Sequence, residues 1–471
     1  MNDEFDVIVI GGGPAGENVA GRCAKGGLTV ALIEAELVGG ECSYWGCIPS
    51  KTLIRPGDVL AAARRVPGAA EAVTGSVDAT AAFAQRDSMV SNWSDAGQED
   101  WLREEGIELI RGRGRLTGER RIEVGGTADG NGNGNGARSL TAVRAVVIAT
   151  GTSPAVPSID GLAEAAPWDN RAVTAAKELP RRLLVLGVGP SARRWRRRSS
   201  ASGARRSPSS RAAIASWPTR SPSPGPSCGP PSRRRASRCS PREGHRVRRD
   251  TAHGPVSAGL DDGRELSADE LLVAGGRRPN PNDPGLDRGG LGDRVGHPLT
   301  VNERLRVQGI DGTWLYAVGD CNGLALLTHM GKYQARQCGD VILGRDATAV
   351  ADHGIVPRVT FTDPQVCAVG LTEHQAREEG IDVRVVSYGT GDVAGASTMG
   401  TGVSGTSQLV VDDAHRLVVG ATFTGPGVQE LLHSATVAIA GQVPLDRLWH
   451  AVPAFPTVSE VWLRLLEAYG L

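Results

Sequence analysis

The stretch FDVIVIGGGPAGENVAGRCAKGGLTVALIE, residues 5–34, decides the fold. FDVIVI (5–10) is a short apolar run suited to a buried parallel strand, and GGGPAG follows at once, opening the helix-like ENVAGRCAKGG. Strand, glycine turn and helix in this order begin a dinucleotide-binding unit. Gly11 permits the tight turn, Gly13 lets a pyrophosphate approach the backbone, and Gly16 lets the helix pack closely on the strand. The diphosphate then sits at the helix N-terminus, where unpaired N–H groups and the helix dipole favour negative charge. A second strand, LTVALI (28–33), ends in Glu34, at the spacing where a carboxylate accepts hydrogen bonds from the adenosine ribose hydroxyls. A glycine triplet alone is more often a turn or a linker. Both strands, the helix and the acid in register make this fingerprint specific.

Immediately downstream, GGECSYWGCIPSKTL (39–53) places Cys42 and Cys47 five residues apart. A zinc site needs two further soft ligands at short spacing, and none lies nearby, so metal is the weaker reading. An inert buried pair is the other bland reading. Against it, Pro49, Ser50 and Lys51 read as a helix start, which would lower the pKa of a thiol held there.

The whole chain, at 471 residues, exceeds a single core and calls for several domains. Its 52 basic and 52 acidic residues cancel, which removes any overall electrostatic case for nucleic acid or an anionic membrane. No apolar run approaches the roughly 20 residues of a membrane helix, and MNDEFDVIVI starts acidic and then strand-like. The expectation is a soluble cytoplasmic protein. Eight cysteines are too few for a secreted disulfide scaffold of this length, so a close pair reads as catalytic before structural.

With these motifs the sequence resembles the pyridine nucleotide-disulfide oxidoreductases, the family of dihydrolipoamide dehydrogenase, glutathione reductase and mercuric reductase. The resemblance implies an α/β fold: two Rossmann-like domains, for FAD and NAD(P), and a C-terminal α+β dimerisation domain. It places the FAD domain at 1–150 and 272–345, the NAD(P) domain at 151–271 and the interface domain at 346–471. Cys47 would be the flavin-proximal thiol, Cys42 the interchange thiol that attacks substrate, and Lys51 a neighbour of flavin N5. Further family segments follow in order. IRGRGRLTG carries Gly114 at an FAD contact, and AVVIATGTSP returns to the flavin through Thr150 and Gly151. In WLYAVGDCNG, Asp320 would bind the ribityl chain; in LALLTHMGKYQAR, Leu327, Thr328 and His329 would pass beside the ring. Singly these residues are weak signals, a turn aspartate or a helix-cap histidine; their order carries the assignment. GNGNGNG (130–136) reads as a hairpin loop without function.

One block departs from the pattern. RRLLVLGVGP (181–190) starts the nicotinamide unit correctly, with Gly187 and Gly189 in its glycine turn. From Ser191 to Arg242, however, there is no Asp, Glu, Leu, Val, Phe or Tyr, and Arg, Ser, Pro and Ala dominate. Such a composition buries no core and reads as disordered, unfit for half of a parallel sheet. It is either a basic nucleic-acid-binding arm or a segment translated out of frame. The genetic code favours the second. If Arg194 and Trp195 are AGA and TGG, the triplet one base back is ATG; the same shift over Ser191–Arg197 permits Val-Gly-Ala-Glu-Met-Ala-Gln, an ordinary helix after the turn. Over Ser207–Pro218 it permits Val-Thr-Leu-Val-Glu, a few polar residues, and Leu-Leu-Ala. Compensating frameshifts near Gly189 and Gly244 are therefore expected, and nucleic acid is disfavoured as a partner. The Glu ending the recovered strand would favour NADH over NADPH, because a carboxylate binds a free 2′-hydroxyl and repels a 2′-phosphate.

The C-terminal part reads as VPRVTFTDPQVCAVGLTEHQAREEG, a strand DVRVVSYG, another in SQLVVDDAHRLVVGATFTG, and a helix VQELLHSATVAIAG. By resemblance it makes a homodimer. The family's disulfide reductases carry His-Pro-Thr-x-x-Glu here, whereas this chain has Phe455-Pro456-Thr457-Val458-Ser459-Glu460. Phenylalanine moves no proton, and a missing general base costs about 10² to 10⁴ in rate. His450 is too isolated to replace it, and Glu460, a catalytic candidate only by resemblance, is expected to be solvated or structural. Mercuric reductases also lack the histidine, but their C-terminal vicinal cysteines have no counterpart in LRLLEAYGL. The expected acceptor is a small disulfide, a quinone or another electrophile needing little acid catalysis. The competing expectations are a flavoprotein impaired in NAD(P)H use, a mercuric-reductase-like enzyme, and nucleic-acid binding through the arginine block.

Overall fold

A computed structural model describes residues 3–125, 138–187, 213–215, 238–240, 244–251, 254–260, 263–280, 285–286, 296–352 and 354–471. They divide into two compact units, the first within 1–53, 80–189 and 207–349, the second within 54–79 and 350–471.

The first unit opens with β1 (Glu4–Ile10), α1 (Pro14–Lys25) and β2 (Val30–Glu34), followed by α2 (Gly40–Tyr44) and α3 (Cys47–Ala63). Then come α4 (Ala79–Met89), α5 (Ala96–Glu104), β3 (Ile107–Arg111), β4 (Arg113–Gly118), β5 (Arg121–Gly125) and β6 (Arg138–Ile148). The sheet runs β3-β2-β1-β6-β5-β4. β1, β2, β3 and β6 are parallel, and β4 and β5 extend it antiparallel against the first residues of β6. FDVIVI is unbroken in apolar residues because both faces of β1 are covered. Ile8 and Ile10 enter one core with Ile33, Val146 and Ile148, while Val7 and Val9 enter the other with Leu32, Val147 and Val19 of α1. The loop expected around 130–136 lies outside the described residues, although the strands flanking it pair antiparallel.

Next follow β7 (Thr152–Pro154), α6 (Asn170–Ala175), β8 (Leu183–Leu186), β9 (Ala213–Ala215), β10 (Arg238–Ser240), β11 (Gly244–Arg249), β12 (Val256–Leu260), β13 (Glu265–Ala268), β14 (Glu270–Val273) and β15 (Arg277–Pro279). A separate sheet, β10-β9-β8-β14, is parallel throughout, and β11-β12-β13 is an antiparallel meander. These two share a core of their own, with Leu184, Leu186, Val247, Val256 and Leu271. β9 and β10 correct the reading of 191–242 as unfit for a parallel sheet. Strand pairing uses backbone hydrogen bonds, which the arginine-rich composition does not remove. The rest of that block, with Gly189, lies outside the described residues. β15 returns antiparallel to β7, then β16 (Leu315–Ala317) joins the large sheet beside the last residues of β6, and α7 (Thr328–Ile342) follows.

Arg86 of α4 is fully buried. It donates to the carbonyls of Thr174 and, at 3.1 Å, Ala176, pairs with Asp87, and lies over the Phe83 and Trp93 rings. It thereby ties α4 to the end of α6. Arg86→Ala leaves both carbonyls unpaired and is expected to cost about 3 kcal/mol, read as a lower midpoint in thermal unfolding. An unchanged midpoint would contradict the account.

The second unit is a five-stranded antiparallel sheet, β17-β18-β21-β20-β19. Its elements are β17 (Arg358–Thr360), β18 (Gln365–Gly370), α8 (Glu373–Glu378), β19 (Val383–Gly389), α9 (Ala394–Ser397), β20 (Thr406–Asp412), β21 (Leu417–Gly425), α10 (Val428–Ala440), α11 (Leu445–Leu448) and α12 (Val461–Tyr469). SQLVVDDAHRLVVGATFTG, read as one strand, is the β20–β21 hairpin turning at 413–416. Phe423, Leu409, Leu432, Trp462 and Leu465 pack its core. Residues 54–79, expected within the first domain, cluster with this unit. The cause is tertiary: the Arg65 carbonyl accepts the Thr401 amide at 2.8 Å.

Candidate active site

At the turn after β1, Gly11 has φ +104°, and a Cβ there would lie 2.5 Å from the Ala149 carbonyl oxygen. On the first turn of α1, a Cβ on Gly16 would lie 1.9 Å from the Gly11 carbonyl oxygen. No other residue allows α1 to approach β1 so closely. A Cβ on Gly13, the residue before α1, would instead meet open space, which is what a diphosphate at the helix N-terminus requires. Glu34, at the end of β2, points its carboxylate back at this turn and accepts the Gly12 amide at 2.6 Å and the Glu36 amide at 2.8 Å. Burial raises Glu34 above the usual carboxylate range, against the two amides that hold it down. Burial also pushes Glu17 of α1 up to about 7, with Glu34 adding and Lys332 opposing, so the helix start carries less than its formal negative charge. The cradle therefore fits a dinucleotide such as FAD, and Gly11, Gly13, Gly16 and Glu34 would hold its diphosphate and ribose.

Cys42 lies on α2 and Cys47 opens α3, so both follow directly from the turn after β2. Both are free thiols, half-buried, and Cys47 Sγ is 3.3 Å from Thr328 Oγ1 at the start of α7. The Cys42 thiol lies well above the ordinary thiol range, first because it is hydrogen-bonded to Cys47, then because it is buried and would ionise beside a second thiolate. The helix α3 starts at Cys47 and Cys42 lies before it on α2, so the lowering expected of a thiol at a helix start does not extend to Cys42. Asp320, just beyond β16, accepts Thr152 Oγ1 at 2.9 Å and is raised by burial, while Thr152 and Arg277 oppose the rise and Cys47 adds to it. Thr150 and Gly151, between β6 and β7, lend their carbonyls to Asn280, whose Nδ2 donates to Thr150 at 3.3 Å and whose amide donates to Gly151 at 3.2 Å. Cys47, Thr328, Asp320 and the Thr150–Thr152 turn thus meet beyond the carboxyl ends of β6 and β16, where open α/β sheets bind ligands.

Residues 5–193 match the pyridine nucleotide-disulphide oxidoreductases, and residues 356–465 match the dimerisation domain of that family. The dihydrolipoyl dehydrogenase of Thermus scotoductus is 30% identical over 98% of this chain and 97% of that protein. The chain belongs to the pyridine nucleotide-disulphide oxidoreductase family. This oxidoreductase is thus an FAD-dependent enzyme working with a pyridine nucleotide and a redox-active cysteine pair near Cys42–Cys47. The mercuric reductase of Staphylococcus aureus is 27% identical over 97% of the chain and 81% of its own length. In fold, LpdA from Mycobacterium tuberculosis superposes with a TM-score of 0.80 at 22% identity, covering 99% of both chains. The dimerisation domain points to a homodimer, and among the described residues no helix is long and apolar enough to cross a membrane.

The remaining expected site residues of the oxidoreductase fall in several places. Gly114 sits on β4, where a Cβ would press at 3.1 Å on Ile33. Leu327 is the cap of α7; Lys51 on α3 is half-buried and His329 on α7 is exposed. Gly187 follows β8 with φ +126°, where a Cβ would press on the Ala274 carbonyl. Glu460, in the second unit, is 7% exposed, accepts the Ala394 amide at 3.2 Å and pairs with Arg464 at 2.8 Å. Its carboxylate thus holds the first amide of α9. Phe455 is 76% exposed. The sequence alone did not reveal Thr152, Asn170, Arg171, Arg277 or the role of Glu41; Thr152 lies in AVVIATGTSP and Glu41 in GGECSYWGCIPSKTL, but nothing in either stretch marks their partners.

Proposed function

We propose that this enzyme passes electrons from NAD(P)H, with NADH preferred, through Cys47 and Cys42 to a small acceptor that needs little acid catalysis. FAD, when bound, supplies the two-electron relay between the nicotinamide and the disulfide. The observation that carries the reading is the seating of Cys47 against Thr328 beside the Thr152–Asp320 pair, at the ligand-binding end of the sheet. Asp320, Thr150, Gly151, Leu327 and His329 would line the flavin, and Lys51 would stand near it.

Cys47 opens α3 and sits 3.3 Å from the Thr328 hydroxyl, which supports Cys47 as the resident thiolate and Cys42 as the interchange thiol. For a disulfide acceptor, Cys42 loses its proton and attacks one sulfur, the other sulfur leaves as a thiolate, and Cys47 then displaces the bound thiol from Cys42. The protein disulfide re-forms and two substrate thiols are released. Phe455 supplies no proton to either leaving group, so acceptors with acidic leaving groups, or quinones, are favoured over lipoamide.

Anaerobic titration of the FAD-loaded protein with NADH is expected to produce, at about one equivalent, a long-wavelength band that is absent from Cys47→Ser, and to bleach the flavin only as further NADH is added. A second reading rests on the composition of 191–242: a flavoprotein impaired at its nicotinamide site by compensating frameshifts. It requires a flavin that stays oxidised with NADH yet is reduced by dithionite. An uninterrupted reading frame through codons 190–245 would remove the frameshift from this account.

A further inference from the structure

Two carboxylates lie near the cysteine pair, one along the chain and one through the fold. Glu41 immediately precedes Cys42 on α2, and Asp320 lies close enough to Cys47 for the thiolate to oppose its ionisation. One guanidinium spans them. Arg277 of β15 donates from Nε to Thr152 Oγ1 at 2.7 Å and from Nη2 to the Thr152 carbonyl; the same Thr152 hydroxyl donates to Asp320 Oδ2 at 2.9 Å. In the other direction, Arg277 Nη2 is 3.5 Å from Glu41 Oε2, and Nη1 donates to Asn170 Oδ1 at 3.3 Å. Asn170 closes the circuit, donating from Nδ2 to Glu41 Oε2 at 2.7 Å and to the Trp45 carbonyl at 3.2 Å. Arg171 also binds Glu41, but it is shared with Glu36 at 2.8 Å and stacks 4.0 Å over the Trp45 ring. The other ionisable side chains on the elements carrying the thiols and Thr328 are Tyr44 on α2, Lys51, Arg55 and Asp58 on α3, and His329, Lys332, Tyr333, Arg336, Cys338 and Asp340 on α7.

We propose that Arg277 is a positioning residue for the redox pair: through Thr152 and Asn170 it holds the Asp320 and Glu41 carboxylates near Cys47 and Cys42 and balances their charge. Without it, Asp320 keeps the Thr152 hydroxyl, Glu41 keeps Asn170 and the Arg171 it shares with Glu36, and the guanidinium charge between the two carboxylates is lost. A fork of five N–H groups suits this task, because one side chain must reach a hydroxyl, a carbonyl, an amide oxygen and a carboxylate together. The proposal rests on the reading of Cys42 and Cys47 as the redox pair.

The test is the pH dependence of iodoacetamide alkylation at Cys42 and Cys47, read by peptide mass spectrometry on full-length FAD-loaded protein reduced with dithiothreitol. Arg277→Met is expected to move the alkylation midpoint of the more reactive thiol up by about one pH unit, slowing alkylation about tenfold at fixed neutral pH. Glu41→Gln alone should move it down, and Arg277→Met with Glu41→Gln should return it toward the parent. Should Arg277→Met not fold, the Glu41→Gln shift still reads the field. Unmoved midpoints in these variants would overturn the proposal, as would a Glu41→Gln shift of the wrong sign. Disulfide turnover surviving in Cys42→Ser would instead refute the redox-pair reading, leaving the alkylation shifts intact.

Discussion

Serine at either position of the pair is expected to remove disulfide-reducing turnover, by about 10⁴-fold or more, because the step that breaks the substrate S–S bond needs one sulfur to attack and a second to release it. The two variants should nevertheless differ. Cys47→Ser removes the thiolate that sits against Thr328, so the long-wavelength absorption of the reduced protein should vanish with it. Cys42→Ser removes the neighbour with which Cys47 is coupled and should keep that absorption. Anaerobic spectra and steady-state turnover with a small aromatic disulfide measure both. Substantial turnover in either variant would mean that electrons leave by another route.

Gly16→Ala should have the next largest effect. The added Cβ would lie 1.9 Å from the Gly11 carbonyl oxygen and 3.0 Å from its carbon, both backbone atoms that no rotamer can move aside. α1 must lift off the turn, at a cost of about 3 kcal/mol or more, and its N-terminal amides leave the position where a diphosphate would meet them. The purified variant should carry little flavin and unfold at a lower temperature. Gly13→Ala is the control, because its Cβ meets nothing within 4 Å. That variant should unfold near the parent temperature in the absence of FAD yet bind FAD less tightly, since the methyl occupies the diphosphate's space. Full flavin occupancy in Gly16→Ala would show that the glycine turn is not the dinucleotide cradle.

The reading of 191–242 shows how composition and backbone can part company. Its side chains offer no core, yet residues 213–215 and 238–240 pair in register beside β8, because a parallel ladder is made by amides and carbonyls that every residue except proline carries in full. At Glu460 the outcome runs the other way. The sequence shows a carboxylate stripped of its histidine partner, and the fold employs it to hold the first amide of α9 and bind Arg464.

By itself the sequence determined the first nucleotide unit, the cysteine pair and the missing histidine. Each is written in consecutive residues: strand periodicity, the glycine turn and the acid all fall within residues 5–34, and Cys42 and Cys47 share one short loop. Only the tertiary structure decided the surroundings of those thiols. Thr152, Asn170, Arg277, Asp320 and Thr328 come from segments far from Glu41 and the pair in the chain, brought together by β15 pairing with β7 and by β16 joining β6. Hydrogen bonds across such separations depend on how sheets and helices pack, and no local pattern of residue types encodes them.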